Sequence, residues 1–314
     1  MKLLPEYVLL HESFNGSSSD EGWIAYLRRA FFSEGLVRDL HNGAWARAFR
    51  DYSKTLAHPT RGLLRELLEA LHKEHRLVRF APCSAAAPKD AVGWCREALA
   101  SHRKSALAAI IASSSVAEEC SENPVVSLVK LRKKESEIEP AQSLEVRQET
   151  DEYLRQLDDV LRHAGRICFM DPYLNENASD YREFPKLIMA TQGRTPRPRI
   201  ELHRMGCLGE NGCIDVAASR DKKRWQTLFQ LWNEQFTHAG LRIEVCIWNK
   251  FHNRYLLSDL IALQVGKGFF TSKNPHAYDD WSRLSRARRE SLDREFDENS
   301  VKLERYCTFS IGAE

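Results

Sequence analysis

From about residue 146 to the end of the chain, short apolar runs alternate with segments whose apolar residues recur every three to four positions. This alternation constrains the fold most, because strand–helix–strand units bury their apolar surface as a sheet covered by helices. The spacing predicts a helix over 146–163, the strand "RICFMD" ended by "PYLNEN", and a helix near 180–192. The strand "RIELHRM" and the helix "DKKRWQTLFQLWNEQFTHAG" follow, then the strands "LRIEVCIW", "HNRYLLSD" and "IALQVGKGF". A charged helix, "AYDDWSRLSRARRESLDREFDEN", and a last strand, "RYCTFSIG", complete the series. Trp225, Leu228, Phe229, Trp232 and Phe236 form one stripe at helical spacing, the mark of a helix face packed on a core.

Ahead of this region, residues 20–75 read as helical, most clearly in "HPTRGLLRELLEALHKEH". Strands are expected at "RLVRFAP" (76–82), "ALAAIIAS" (106–113) and "VVSLVKL" (125–131), with a helix over 89–104. The charged, proline-containing stretch 132–145 has few core residues and predicts a boundary or long loop. The expected fold is α/β: a mixed sheet flanked by helices over 141–314, preceded by a mainly helical region over 1–140.

Bulk properties exclude several function classes. A net charge of +2 across 314 residues argues against a uniformly basic nucleic-acid coat. The basic patches "RDKKRW" (220–225) and "RLSRARRE" (283–290) each read as a solvated helix face when taken alone. No run approaches the roughly 18 apolar residues that span a bilayer, and the N-terminus makes a poor signal peptide, so a cytoplasmic protein without a membrane span is expected. The eight cysteines form no C-x-x-C pair, which fits reduced thiols. His203, Cys207 and Cys213 are close in sequence, but their spacing fits no paired zinc-ligand pattern. Neither a metal nor another cofactor is expected. Phosphate-loop, dinucleotide and nucleophile-elbow signatures are missing from the sequence.

The chemistry concentrates in residues 251–274, "FHNRYLLSDLIALQVGKGFFTSKN". Alternate side chains of a strand share a face, so His252 and Arg254 are expected to project together with Cα atoms about 6.6 Å apart. An imidazole to attack phosphorus and a cation to hold the non-bridging oxygens suit one phosphodiester. Asp259 is placed to accept from an imidazole N–H or to counter the cation. Gly266 and Gly268 permit close backbone approach, and Lys267, Ser272 and Asn274 offer further donors. A buried strand histidine beside an ordinary Arg254–Asp259 salt bridge is the bland alternative.

The ordered set His252-x-Arg254, four residues, Asp259, six residues, Gly266 resembles the phospholipase D superfamily motif, His-x-Lys-x4-Asp-x6-Gly. The upstream "ICFMDPYL", with Asp171 and Tyr173, is similar to the Asp-Pro-Tyr at a strand end ahead of the motif in bacterial members. The resemblance covers about 146–314. It implies metal-independent cleavage, with one histidine forming a phosphohistidine and a second protonating the leaving group. By position, His252 would be the nucleophile or the acid, Arg254 would bind phosphate and Asp259 would orient a histidine. Arg254 departs from the usual Lys, and Lys267 follows Gly266 where Ser is usual. His102 and Lys104 repeat the His-x-Lys form, but Ala109 stands at the acidic position and the pair ends a predicted helix. One motif copy implies a homodimer to unite two histidines, or else a degenerate member serving as a binding or assembly subunit of a larger complex. The expected partner is nucleic acid, DNA or RNA, and similar bacterial members point to nucleases of anti-phage defence.

Overall fold

The computed structural model describes residues 3–17, 19–29, 35–132, 141–209 and 213–313. Two compact units divide the chain, Met1–Ala141 and Gln142–Glu314. Each has its own sheet.

The first unit is built on five parallel strands: β1 (Glu6–Leu9), β2 (Leu36–Asp39), β3 (Leu77–Arg79), β4 (Ala109–Ala112) and β5 (Val125–Ser127). Their spatial order is β3-β2-β1-β4-β5. The helices Leu40–Thr55, Thr60–Lys73 and Ala91–Lys104 join them and bury Trp45, Phe49, Leu64, Leu67 and Trp94. This corrects the expectation of a mainly helical region. Parallel strands of three or four residues, buried on both faces, carry no alternation to read. The run "VVSLVKL" is a strand only over Val125–Ser127 and continues as the helix Leu128–Arg132. His102 and Lys104 end a helix, and His102 Nδ1 accepts from the Leu107 amide, so they form no second copy of the motif. Residues 133–140 of the expected boundary lie outside the described residues.

The second unit has eight strands: β6 (Ser143–Arg147), β7 (Arg166–Met170), β8 (Arg199–Met205), β9 (Arg242–Trp248), β10 (Arg254–Ser258), β11 (Ala262–Val265), β12 (Tyr278–Arg283) and β13 (Arg305–Gly312). Their order is β13-β9-β8-β7-β10-β11-β12-β6. Strands β7, β8 and β9 run parallel, and every other pairing is antiparallel. This is a mixed α/β sheet flanked by helices.

One sheet face packs Ile167, Phe169 and Leu202 beneath an aromatic layer that includes Phe184, Trp232 and Phe269. The opposite face carries Cys168, Met170, Cys246 and Tyr255 with Leu292 and Phe296. The predicted aromatic stripe is buried at Trp225, Phe229, Trp232 and Phe236, although its helix divides at Phe229 into Lys222–Leu228 and Gln230–His238. Two expected helices begin as strands. Residues 143–147 form β6 before the helix Thr150–His163, and "YDDWSR" forms β12 before the helix Arg286–Glu295. In β12, Asp279 and Trp281 point inward between exposed neighbours, a two-residue period masked by the charges.

In the first unit, His11 is buried against Tyr52, with ring centroids 5.1 Å apart, and burial lowers its pKa to about 4. The unfolded chain takes up a proton below about 6.5 while the folded chain stays neutral until about 4, so stability falls as pH drops through that window. The full effect is about 3 kcal/mol. Urea unfolding of wild type and His11→Gln at pH 7 and pH 4.5 should show a smaller acid loss in the variant. Equal losses would contradict this assignment.

Candidate functional site

The sheet of the second unit brings a polar cluster together where β7 ends, β10 begins and the chain leaves β11. Asp171 follows β7 directly and is fully buried. Its carboxylate accepts the Tyr181 hydroxyl at 2.6 Å, the Tyr173 amide at 3.0 Å and the Phe269 amide at 3.4 Å. Arg254 opens β10, and its Nε lies 3.8 Å from Asp171 Oδ1. Arg254 Nη1 donates to the Gly266 carbonyl at 3.3 Å, and the guanidinium lies 5.2 Å from the Tyr173 ring centroid. Gly268 has φ +112°, and a Cβ there would stand 2.5 Å from Asp171 Oδ2. Only glycine allows the chain to close over the carboxylate in this way.

A second guanidinium, which sequence reading missed, joins the same polar cluster. Arg204 shares a β8 face with Ile200 and Leu202, by the alternation of the strand. Its charge acts on both Asp171 and Tyr181, and it stacks 4.6 Å above the Trp225 ring. Burial lowers its pKa to about 10, so it remains charged at neutral pH. The Arg204 side chain makes no hydrogen bond or salt bridge among the described residues, and its Nε is sealed from solvent without an acceptor. Arg254 Nε is likewise sealed without a hydrogen-bond acceptor. Asp279 completes the surroundings, accepting from the Lys267 amide at 2.8 Å and from Trp281 Nε1 at 3.1 Å. Burial raises the Asp279 carboxyl above its ordinary value. Three cations, Arg204, Arg254 and Lys267, therefore surround two carboxylates.

His252 is exposed in the loop before β10, not in the strand, and makes no hydrogen bond among the described residues. Tyr173 is 45% exposed and roofs Arg254. Lys267 Nζ donates to the Tyr278 carbonyl at 2.8 Å. Ser272 and Asn274 serve a local turn. Ser272 Oγ accepts from the Asn274 amide at 3.2 Å, and Asn274 Oδ1 from the His276 amide at 3.0 Å. Neither bonds Arg254, Asp171 or His252 among the described residues.

No protein-family model and no curated protein matches the chain. Solved structures do align with it, weakly. The archaeal chromatin protein TrmBL2, described as showing a novel mode of DNA binding, is 12% identical with a TM-score of 0.32, over 90% of this chain and 100% of that one. Phosphatidylserine synthase of Haemophilus influenzae Rd KW20 is 14% identical with a TM-score of 0.33, over 52% of this chain and 38% of that one. Similarity at this level carries no argument about the site.

His203 is not brought into a cluster with Cys207 and Cys213. It is buried beside Cys168 and Glu201, and the ligand-type atoms of these three lie within 4.8 Å of one another. Trp248 Nε1 donates to His203 Nδ1 at 3.0 Å, which places the imidazole proton on Nε2, 3.2 Å from Glu201 Oε2. Burial pushes His203 below its ordinary pKa. Burial alone would raise Glu201, but bonds from His203 and Arg166 hold it well below the usual carboxylate range. With Arg166 and Arg199 also on Glu201, the charge of this carboxylate is already met.

The orienting role expected of Asp259 is corrected. Five residues separate it from Arg254, about 16 Å along a strand. Its carboxylate instead accepts the amides of Gly165, at 3.0 Å to each oxygen, and Arg166, at 3.3 Å, as the chain enters β7. Asp259→Ala should cost about 1–3 kcal/mol in urea denaturation, the cost of unmade amide bonds, with anion binding unchanged. Lost binding at unchanged stability would return Asp259 to the site.

Proposed function

We propose that this chain engages the phosphodiester backbone of nucleic acid, DNA or RNA, through the pocket around Asp171. The surplus of cations carries this reading. Arg204 and Arg254 both face a single buried carboxylate, and each keeps an Nε without an acceptor. A phosphodiester supplies one negative charge and two non-bridging oxygens, which is what a pair of under-bonded guanidiniums accommodates. The strand order of the motif, His252-x-Arg254, adds an unengaged imidazole two residues from one of those guanidiniums.

Metal-independent hydrolysis is the activity we assign to this site. In it, His252 attacks phosphorus, the P–O bond to the leaving oxygen breaks, and the same residue of a second copy protonates that oxygen. Water then cleaves the phosphohistidine and restores the imidazole. A homodimer is therefore part of the proposal, because this chain carries one copy of the motif. Bacterial anti-phage defence in the cytoplasm is the setting we propose, on the sequence resemblance alone. No helix among the described residues is long and apolar enough to cross a membrane.

One observation favours a non-catalytic binding or assembly subunit as the second reading. No carboxylate orients His252 among the described residues, since Asp259 is spent on backbone amides. An imidazole held by a carboxylate is oriented for attack or proton transfer, and His252 has no such contact among the described residues.

Labelled single- and double-stranded DNA and RNA, incubated in excess EDTA, separate the readings. Wild type should bind and cleave, and His252→Ala should bind without cleaving. Arg254→Ala should bind tenfold or more weakly, as expected for loss of a charged hydrogen-bond donor worth about 1.5–3 kcal/mol. Binding without cleavage by wild type would establish the second reading. Neither binding nor cleavage would overturn the proposal.

A further inference from the structure

The first unit carries a groove of about 870 Å3 between the helices Leu40–Thr55 and Thr60–Lys73, reaching the end of β3. Arg47, Arg50 and Lys54 line one wall at three- and four-residue spacing, so they form one stripe along the first helix. Arg61 and Arg65 line the other wall at four-residue spacing, and Arg79 stands where β3 ends. Asp39, Glu66 and Glu69 are the acidic residues of the lining, so cations exceed carboxylates six to three.

Part of that charge is already paired. Arg65 Nε lies 3.5 Å from Glu69, and Lys54 Nζ lies 2.7 Å from Asp51. Arg47 and Arg79 act on the Asp39 carboxylate without a salt bridge. Arg47, Arg50 and Arg61 are exposed, and their side chains make neither salt bridge nor hydrogen bond among the described residues. Asp51, four residues past Arg47, pairs with Lys54 instead, and no acidic residue stands three or four positions from Arg50 or Arg61.

The backbone supplies an independent sign. At the start of the first helix, His41 (φ 56°), Asn42 (φ 53°) and Gly43 (φ 92°) are all left-handed. Each such non-glycine residue costs about 1–3 kcal/mol and persists where surrounding structure holds it, often at ligand sites. Gly43, the last of the three, lines the groove. A Cβ on Gly43 would lie 3.5 Å from Asp39 Oδ2 and 3.6 Å from Arg47 Nη1.

We infer that this groove is a second nucleic-acid contact, holding the phosphate backbone of a single strand between two rows of arginines. The apolar floor is buried at Phe49, Leu64 and Leu68, so the only aromatic faces exposed in the lining are the imidazoles of His58 and His72. With six cations in the lining and no Phe, Tyr or Trp ring exposed there, recognition through this groove is mainly electrostatic and independent of sequence. Arg47 and Lys54 lie about 10 Å apart along the helix axis, a span that covers two or three phosphates. The inference stands on the first unit alone and does not depend on hydrolysis in the second.

The test is anisotropy of a labelled single-stranded DNA oligonucleotide with the full chain, measured across a salt series. Combined Arg47→Ala, Arg50→Ala and Arg61→Ala should weaken binding about tenfold or more and reduce the slope of log affinity against log salt by about 2. The three arginine-to-lysine replacements should restore both, since the role is charge. Arg254→Ala in the other unit, assayed alongside, reports separately on the pocket around Asp171. Unchanged affinity and slope in the triple alanine variant would overturn the inference. So would a triple lysine variant as weak as the alanine one.

Discussion

The second unit depends on one buried carboxylate. Asp171 lies at the end of β7 with no solvent access, and an ionised carboxylate there costs several kcal/mol unless its oxygens are satisfied. A phenol, two backbone amides and a guanidinium do this. Each draws in a different part of the chain. Tyr181 brings the segment after β7, Phe269 brings the chain leaving β11, and Arg254 fixes the start of β10. The φ of Gly268 and the clash its Cβ would make with Asp171 follow from the same closure. The neighbouring network on the opposite sheet face offers a contrast. Glu201 there is met by Arg166, Arg199 and His203 and has no surplus cation to offer a ligand.

Much of this unit was legible because its strands are long enough to show their period. The runs containing β7, β8, β9, β10, β11 and β13 were all expected as strands. Charge hid β12. "YDDWSR" reads as a solvated helix until Asp279 and Trp281 are seen to face inward. The first unit was misread for the opposite reason. Its strands are only three or four residues long; β3, β4 and β5 fall in runs expected as strands, whereas β1 and β2, four residues each and buried on both faces, show no two-residue period to read.

The site divides along the same line. Asp171, Tyr173, Arg254 and Gly266 stand out in the sequence because two contiguous stretches carry them, and the structure brings those stretches together at adjacent strands. Arg204 and Tyr181 were missed because only the pairing of β7 with β8 and the turn after β7 carry them to Asp171. The signal for Arg204 lay in "RIELHRM", where a cation shares a face with Ile200 and Leu202. Asp259 shows the limit of spacing as a guide. Its offset matches a motif, yet the length of β10 carries it to the other end of the strand, where backbone amides claim it.

The central claim is that the pocket around Asp171 is short of one anion. Calorimetric titration of inorganic phosphate into the full chain, in EDTA, beside Arg204→Met tests it directly. Methionine keeps the apolar contact with Trp225 and removes the charge. The account predicts one phosphate bound per pocket in wild type, with at least a tenfold loss in Arg204→Met. Equal affinity in the two proteins, or no phosphate bound at a pocket shown to be folded, would contradict it.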